Sequence, residues 1–155
     1  MINLLLTKYK SRLDYLYSKA SNFSDDSELV AEWSKYLCVL TSGYLENCIR
    51  AIYSEYIKKR SHPNVSNFAQ YNLNAFQNPK MEKICQLAGF FNSSWAEDLR
   101  KGTEGELKDG VDSIVANRNI IAHGRDVGLT YSNLLRYYEN AQSVLKILND
   151  QVNNN

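Results

Sequence analysis

The sequence predicts an all-α fold: an up-and-down helical bundle of four to five main helices with additional short ones. Three observations carry this prediction. The 155 residues include only two prolines and seven glycines. Apolar residues recur at three- and four-residue spacing, and no stretch alternates apolar with polar as a half-buried strand would. The length is one domain's worth, and neither a linker nor an internal repeat divides it, so a single helical domain over 1–155 is expected.

The spacing predicts a first helix from about Asn3 to Ala20, with Leu5, Tyr9, Leu13, Leu16 and Ala20 on one face. Asn22 to Asp26 reads as a polar turn, with Asp25 and Glu28 placed to cap the second helix. That helix is long, expected from about Ser27 to Lys59, and buries Leu29, Trp33, Leu37, Leu40, Tyr44, Cys48 and Ala51. His62-Pro63 stops it, because proline disfavours helix in the residue before it. Residues 61–78 are rich in Asn and Ser and are expected to be irregular, with at most one short turn of helix. Asn78-Pro79 has the form of an N-cap with proline at the first helical position, opening a helix to about Ala88 that Gly89 closes. Ser94 to Glu97 and Thr103 to Glu106 each fit a capping box, the first for a short helix ending near Lys101, the second for a longer one. A last helix is expected from about Thr130 to Val152, with Leu134, Tyr138, Ala141, Leu145 and Leu148 inward and a frayed tail over 152–155.

Composition narrows the function classes. A formal net charge of +1 makes no overall electrostatic claim on nucleic acid, so any such contact must come from local patches. The candidates are Lys58-Lys59-Arg60, Arg100-Lys101 and the Lys8/Lys10/Arg12 face, each of which reads as solvated surface before it reads as a binding site. Cys38, Cys48 and Cys85 form no CxxC, and His62 and His123 lie far apart, so neither a metal site nor a disulfide framework is expected, and no cofactor. The N-terminal apolar run is too short for a signal peptide and nothing approaches a membrane span, so a cytoplasmic protein without membrane contact is expected.

Residues 116–126 read ANRNIIAHGRD and carry the functional signal. A helix advances about 100° per residue. Counted from Leu107, the positions Val111, Ile114, Arg118 and Ile121 fall in one narrow stripe, which should be buried. Arg118 stands where a leucine would be expected, so it needs an anionic partner or an opening to solvent or ligand. His123 shares a different face with Asn119, four residues earlier, which could orient the imidazole. Gly124 fits the position just past the helix end, placing His123 in the last turn, where the helix dipole favours positive charge. A structural reading also stands: Arg118 in a buried ion pair and His123 closing the cap. An arginine followed by a histidine five residues later is by itself a weak signal.

The longer string Arg118-Asn119-Ile120-Ile121-Ala122-His123-Gly124 resembles the signature of the HEPN superfamily of helical-bundle ribonucleases, in the version associated with RiboL-PSP modules. In the second helix, Glu46 and Arg50 resemble the acidic-x3-basic motif of that superfamily. The two can pair, and Glu46 is a possible partner for Arg118 across a helix interface. The resemblance spans about residues 28 to 150 and is specific only at these two motifs. It implies a metal-independent endoribonuclease that acts as a toxin or defence effector on RNA. It also implies a homodimer whose two R-x4-H helices share one cleft, and a cognate antitoxin or defence-system protein as partner. Arg118, His123 and Asn119 would then be catalytic, with Glu46 and Arg50 supporting. One toxin subgroup extends the motif to R-x4-H-x-Tyr; here that position is Arg125, which instead offers a phosphate contact beside Arg118. The alternatives are a non-catalytic HEPN-type antitoxin, nucleotide-binding or assembly module, and an unrelated helical adaptor. The many tyrosines, Tyr9, Tyr15, Tyr17, Tyr44, Tyr53, Tyr56, Tyr71, Tyr137 and Tyr138 among them, could stack RNA bases, but they read first as helix-face residues with a buried ring and a wet hydroxyl, some of them lining a dimer interface.

Overall fold

The structure, a computed structural model, describes residues 4–23 and 27–155. Among them are seven α-helices, one short 3-10 helix and no strand. Four helices are long: α1 (Leu4–Ser18), α2 (Ser27–Arg60), α6 (Glu106–Ala122) and α7 (Tyr131–Asn153). Three are short: α3 (Pro63–Leu73), α4 (Met81–Phe91) and α5 (Ser93–Thr103). The expected start at Asn3 and the proposed Asp25 cap lie outside the described residues.

Side-chain pairings give the topology. Trp33 Nε1 donates to Leu16 O (3.0 Å), Tyr17 bonds Thr41 (2.6 Å) and Tyr9 stacks on Tyr44, so α1 and α2 run antiparallel. Cys38 meets Ile114 O (3.5 Å), and Val39 faces the end of α6 near Ile121, so α6 is antiparallel to α2. Tyr17 stacks on Tyr138 while Arg60 donates to Asn155 O (2.7 Å), so α7 runs parallel to α2. The long helices therefore alternate up and down. α2 is the spine, touching α1, α3, α6 and α7, while α4 and α5 pair with each other and lean on α6 and α7. Leu37, Leu45, Ile49, Tyr53, Val111, Ile114, Leu134 and Leu148 are fully buried in a core that extends from Leu6 to Val152.

Several local expectations are corrected. On α1 the buried residue is Leu6, not Leu5, which is exposed. Leu29 also emerges, because α2 buries a wider face through Cys38, Thr41, Leu45 and Ile49. Residues 61–78 are not irregular: α3 occupies most of them, with His62 as N-cap, its Nδ1 accepting from Asn64 N (3.3 Å). Proline thus ends one helix and opens the next. α3 runs back along α2 through Ser61–Ser66 and Ser54–Gln70 hydrogen bonds.

Asn78-Pro79 does not start α4. Asn78 adopts a left-handed φ of 52°, and α4 begins at Met81, whose N–H is capped by Asp112 Oδ1 of α6 (2.7 Å). Gly89 lies inside α4, where Ala96 of α5 approaches it too closely for a β-carbon to fit easily. Asn92 ends α4 and caps α5 through Ser94 N (3.0 Å), so the proposed Ser94 box is displaced. Thr103 is no cap either: it is buried, its hydroxyl donating to Leu99 O (2.7 Å), and Gly105 stands before α6. At the C-terminus α7 continues through Asn153 with Val152 buried, so only 154–155 lie beyond the helix. The Thr130 start is as expected, its hydroxyl accepting from Asn133 N (3.2 Å).

Candidate functional site

The motif occupies the last turns of α6, where the helix emerges from the bundle. Val111 and Ile114 are fully buried, but Arg118 and Ile121, further along the same stripe, are half-buried. Of the two outcomes open to an arginine on an apolar stripe, the structure takes the opening to solvent. Among the described residues no carboxylate pairs with Arg118; its Nη1 donates to Asn119 Oδ1 (3.1 Å). The guanidinium keeps most of its five donors for a ligand.

His123 closes α6. Its N–H donates to Asn119 O (3.3 Å) and Ile120 O (3.2 Å). Gly124, at a left-handed φ of 69°, donates to Ile121 O (2.9 Å), and Arg125 N donates to Ile120 O (3.2 Å). This bonding pair is a Schellman motif, and it sets His123 at the C-cap. The imidazole is exposed. The expectation that Asn119 orients it is not met in the single chain: the Asn119 side chain accepts through Oδ1 from Arg118, its sequence neighbour, and makes no hydrogen bond to the imidazole. Among the described residues the imidazole has no hydrogen-bond partner.

Glu46 and Arg50 pair as expected (2.9 Å), but they do not join this site. Glu46 Oε2 accepts from Asn78 N (3.1 Å), while Arg50 Nε (2.9 Å) and Nη2 both donate to Phe76 O. Together they fasten the segment between α3 and α4. Because Cys38 is level with Ile114 and the helices are antiparallel, Glu46 and Arg118 lie about 18 Å apart along the axis. A carboxylate that far away cannot partner the guanidinium.

Beyond Gly124 lies a wide-mouthed cleft of about 440 Å³ between α2 and the end of α6. Glu32, Lys35, Tyr36 and Val39 line one side; Ile121, Gly124, Arg125 and Asp126 line the other. Lys35 Nζ bridges Glu32 (2.8 Å) and Asp126 (3.6 Å), and the Glu32 hydrogen bond, with both nearby carboxylates, holds the ammonium above its ordinary range. Arg125 has no such partner among the described residues and remains a free cation at the rim. Sequence reasoning singles out Arg125 but misses Tyr36 and Val39. The available signal is their position off the α2 stripe that runs through Trp33, Leu37 and Leu40, where exposed apolar side chains stand out.

Among the described residues no group of three or more His, Cys, Asp or Glu side chains gathers, and no helix is long and apolar enough to cross a membrane. The family model described as RiboL-PSP-HEPN matches residues 5–154. No curated protein and no solved structure matches the chain.

Proposed function

This chain belongs to the RiboL-PSP-HEPN family, and from that premise we propose that it is a metal-independent endoribonuclease acting in the cytoplasm as a toxin or defence effector. The observation that carries the reading is the Arg118 guanidinium: only partly buried, free of any carboxylate among the described residues, and five residues before an exposed imidazole at a rigidly capped helix end. Cleavage of RNA by its own 2′-hydroxyl needs a base for that oxygen, a donor for the departing 5′ oxygen and positive charge on the phosphorane. The 2′ oxygen attacks phosphorus, the P–O5′ bond breaks, and a 2′,3′-cyclic phosphate and a 5′-hydroxyl result. His123 moves protons. Arg118 supplies charge and paired hydrogen bonds to the non-bridging oxygens, with Arg125 close enough in sequence to add to it. Asn119 holds the guanidinium rather than the imidazole.

One imidazole per chain is thin for two proton transfers. This supports a homodimer in which two R-x4-H helices share the site, with a cognate antitoxin or defence-system protein controlling it. His123, whose imidazole has no hydrogen-bond partner among the described residues, is available to such an arrangement. The same lack of a partner favours the second reading, a non-catalytic antitoxin, nucleotide-binding or assembly module.

The test is incubation of purified protein with RNA in EDTA. Cleavage should persist and leave 2′,3′-cyclic phosphate ends, and His123→Ala or Arg118→Ala should each lose about 100-fold or more in rate. Intact RNA with the wild-type protein, or equal cleavage by wild type and both variants, would remove the nuclease reading. Expression of wild type and His123→Ala in a bacterial host tests the effector role, which requires the wild type to be the more toxic.

A further inference from the structure

The cleft beside Gly124 has a chemistry that the cleavage steps do not use. Its walls are mixed, with charged side chains around an apolar and aromatic strip: Tyr36 and Val39 from α2 are 43% and 39% exposed, and Ile121 from α6 lines the other side. Tyr36 is braced from behind by Trp33, with ring centroids 5.3 Å apart, so the ring is a supported shelf rather than a loose surface side chain. Trp33 is in turn pinned to α1 by its hydrogen bond to Leu16 O (3.0 Å). The volume, about 440 Å³, falls within the range of small-molecule sites.

The charges around the cleft are sorted. The four charged lining residues balance, Glu32 and Asp126 against Lys35 and Arg125; Lys35 bridges the two carboxylates, and Arg125 at the rim forms no ion pair among the described residues. Ile121 lies on the same helical stripe as Arg118, and Gly124 and Arg125 directly follow His123. An apolar strip with a cation at its edge, on the helix end that carries Arg118 and His123, suits a flat heteroaromatic ring attached to a phosphate.

We infer that this cleft seats one unpaired nucleobase of the RNA next to the scissile phosphate, stacked on Tyr36 and flanked by Val39 and Ile121, with Arg125 on the adjoining phosphate. This rests on the nuclease reading for its substrate class. The site selects single-stranded RNA, because a paired base cannot leave its stack to lie on the tyrosine. The selection is by stacking, so it tolerates different bases.

The experiment titrates the full-length chain with a 2′-O-methyl tetraribonucleotide, which cannot be cleaved, and follows backbone amides by NMR. Amide shifts at 36, 39, 121, 124 and 125 are expected. Tyr36→Ala should weaken binding about tenfold or more, and Tyr36→Phe should bind as the wild type does. An oligonucleotide abasic at all positions should bind wild type and Tyr36→Ala alike. Equal affinity of wild type and Tyr36→Ala for the intact oligonucleotide overturns the proposal. So does a Tyr36→Ala variant whose oligomeric state changes while its RNA affinity does not, since Tyr36 is then an interface residue. Binding at these amides without cleavage of ordinary RNA sinks the nuclease reading and leaves the base site standing. Cleavage unaffected by Tyr36→Ala does the reverse.

Discussion

Two arginines on this chain look alike in sequence, each in a motif and each on a helix, yet their surroundings differ. Arg50 is three-quarters buried, pairs with Glu46 and donates two hydrogen bonds to Phe76 O. Arg118 is also partly buried, but among the described residues its one hydrogen bond is to its neighbour Asn119 and it has no carboxylate partner. Arg50→Ala should therefore cost about 1–3 kcal/mol, since it leaves a carbonyl and a carboxylate short of partners. Arg118→Ala should change stability by no more than about 0.5 kcal/mol. Urea denaturation of the two variants checks this, and a large loss for Arg118→Ala would indicate a structural arginine after all. The sequence shows that Arg118 breaks an apolar stripe. It does not show whether the stripe is still buried at that point, because this depends on where α2 and α7 end relative to α6. The role of Gly124 is legible, since a histidine followed by glycine at a helix end has few other backbone solutions.

Among elements, α6 and α7 approach each other closely at Gly110. A β-carbon on Gly110 would come within 2.7 Å of Asn140 Cβ and Nδ2, and Asn140 Nδ2 donates to Glu106 O (3.0 Å). Gly110→Ala should cost about 1–3 kcal/mol by forcing these helices apart. Gly102→Ala in α5, where nothing lies within 4 Å, should be neutral or slightly stabilising. Thermal melts of both variants decide the matter: if the two shift equally, helix propensity is at work and not packing. Helix existence is readable from apolar spacing for all the long elements. Helix starts are less so, because two of them depend on a partner remote in sequence or on backbone alone, and a third on a cap that closes the preceding helix. α4 is capped by Asp112 from α6, α5 by the residue that ends α4, and α6 follows a glycine with no side-chain cap. α3 is hard to see in the sequence because its Asn-rich composition resembles a loop, and it leaves Val65, Phe68 and Tyr71 exposed.

At the scale of the whole molecule, the core is unusually rich in groups that lose a proton in base. Burial pushes the Cys38 thiol up to about 12 and Cys48 to about 11, from an ordinary 9.0. Burial likewise raises Tyr17, Tyr44, Tyr53 and Tyr138 above 10.0. The unfolded chain releases these protons from about pH 9 while the folded chain holds them. Their contribution to stability is thus complete below about pH 9 and declines as pH rises towards 12. The urea midpoint should be lower at about pH 10.5 than at about pH 8, with the tyrosinate absorbance of the four buried rings added only on unfolding; a flat profile would contradict the burial of these side chains. By itself the sequence determined the helical class, the order of the long helices, the resemblance that the family match sustains, and the motif with its glycine cap. Each of these depends on local periodicity or on residues adjacent in the chain. Only the tertiary structure decided that Arg118 is open, that Glu46 serves another segment, that Asp112 starts α4, and that Tyr36 and Arg125 share a cleft. Those facts depend on which helices stand side by side and at what level. That is set by packing across the bundle, which no single helix encodes.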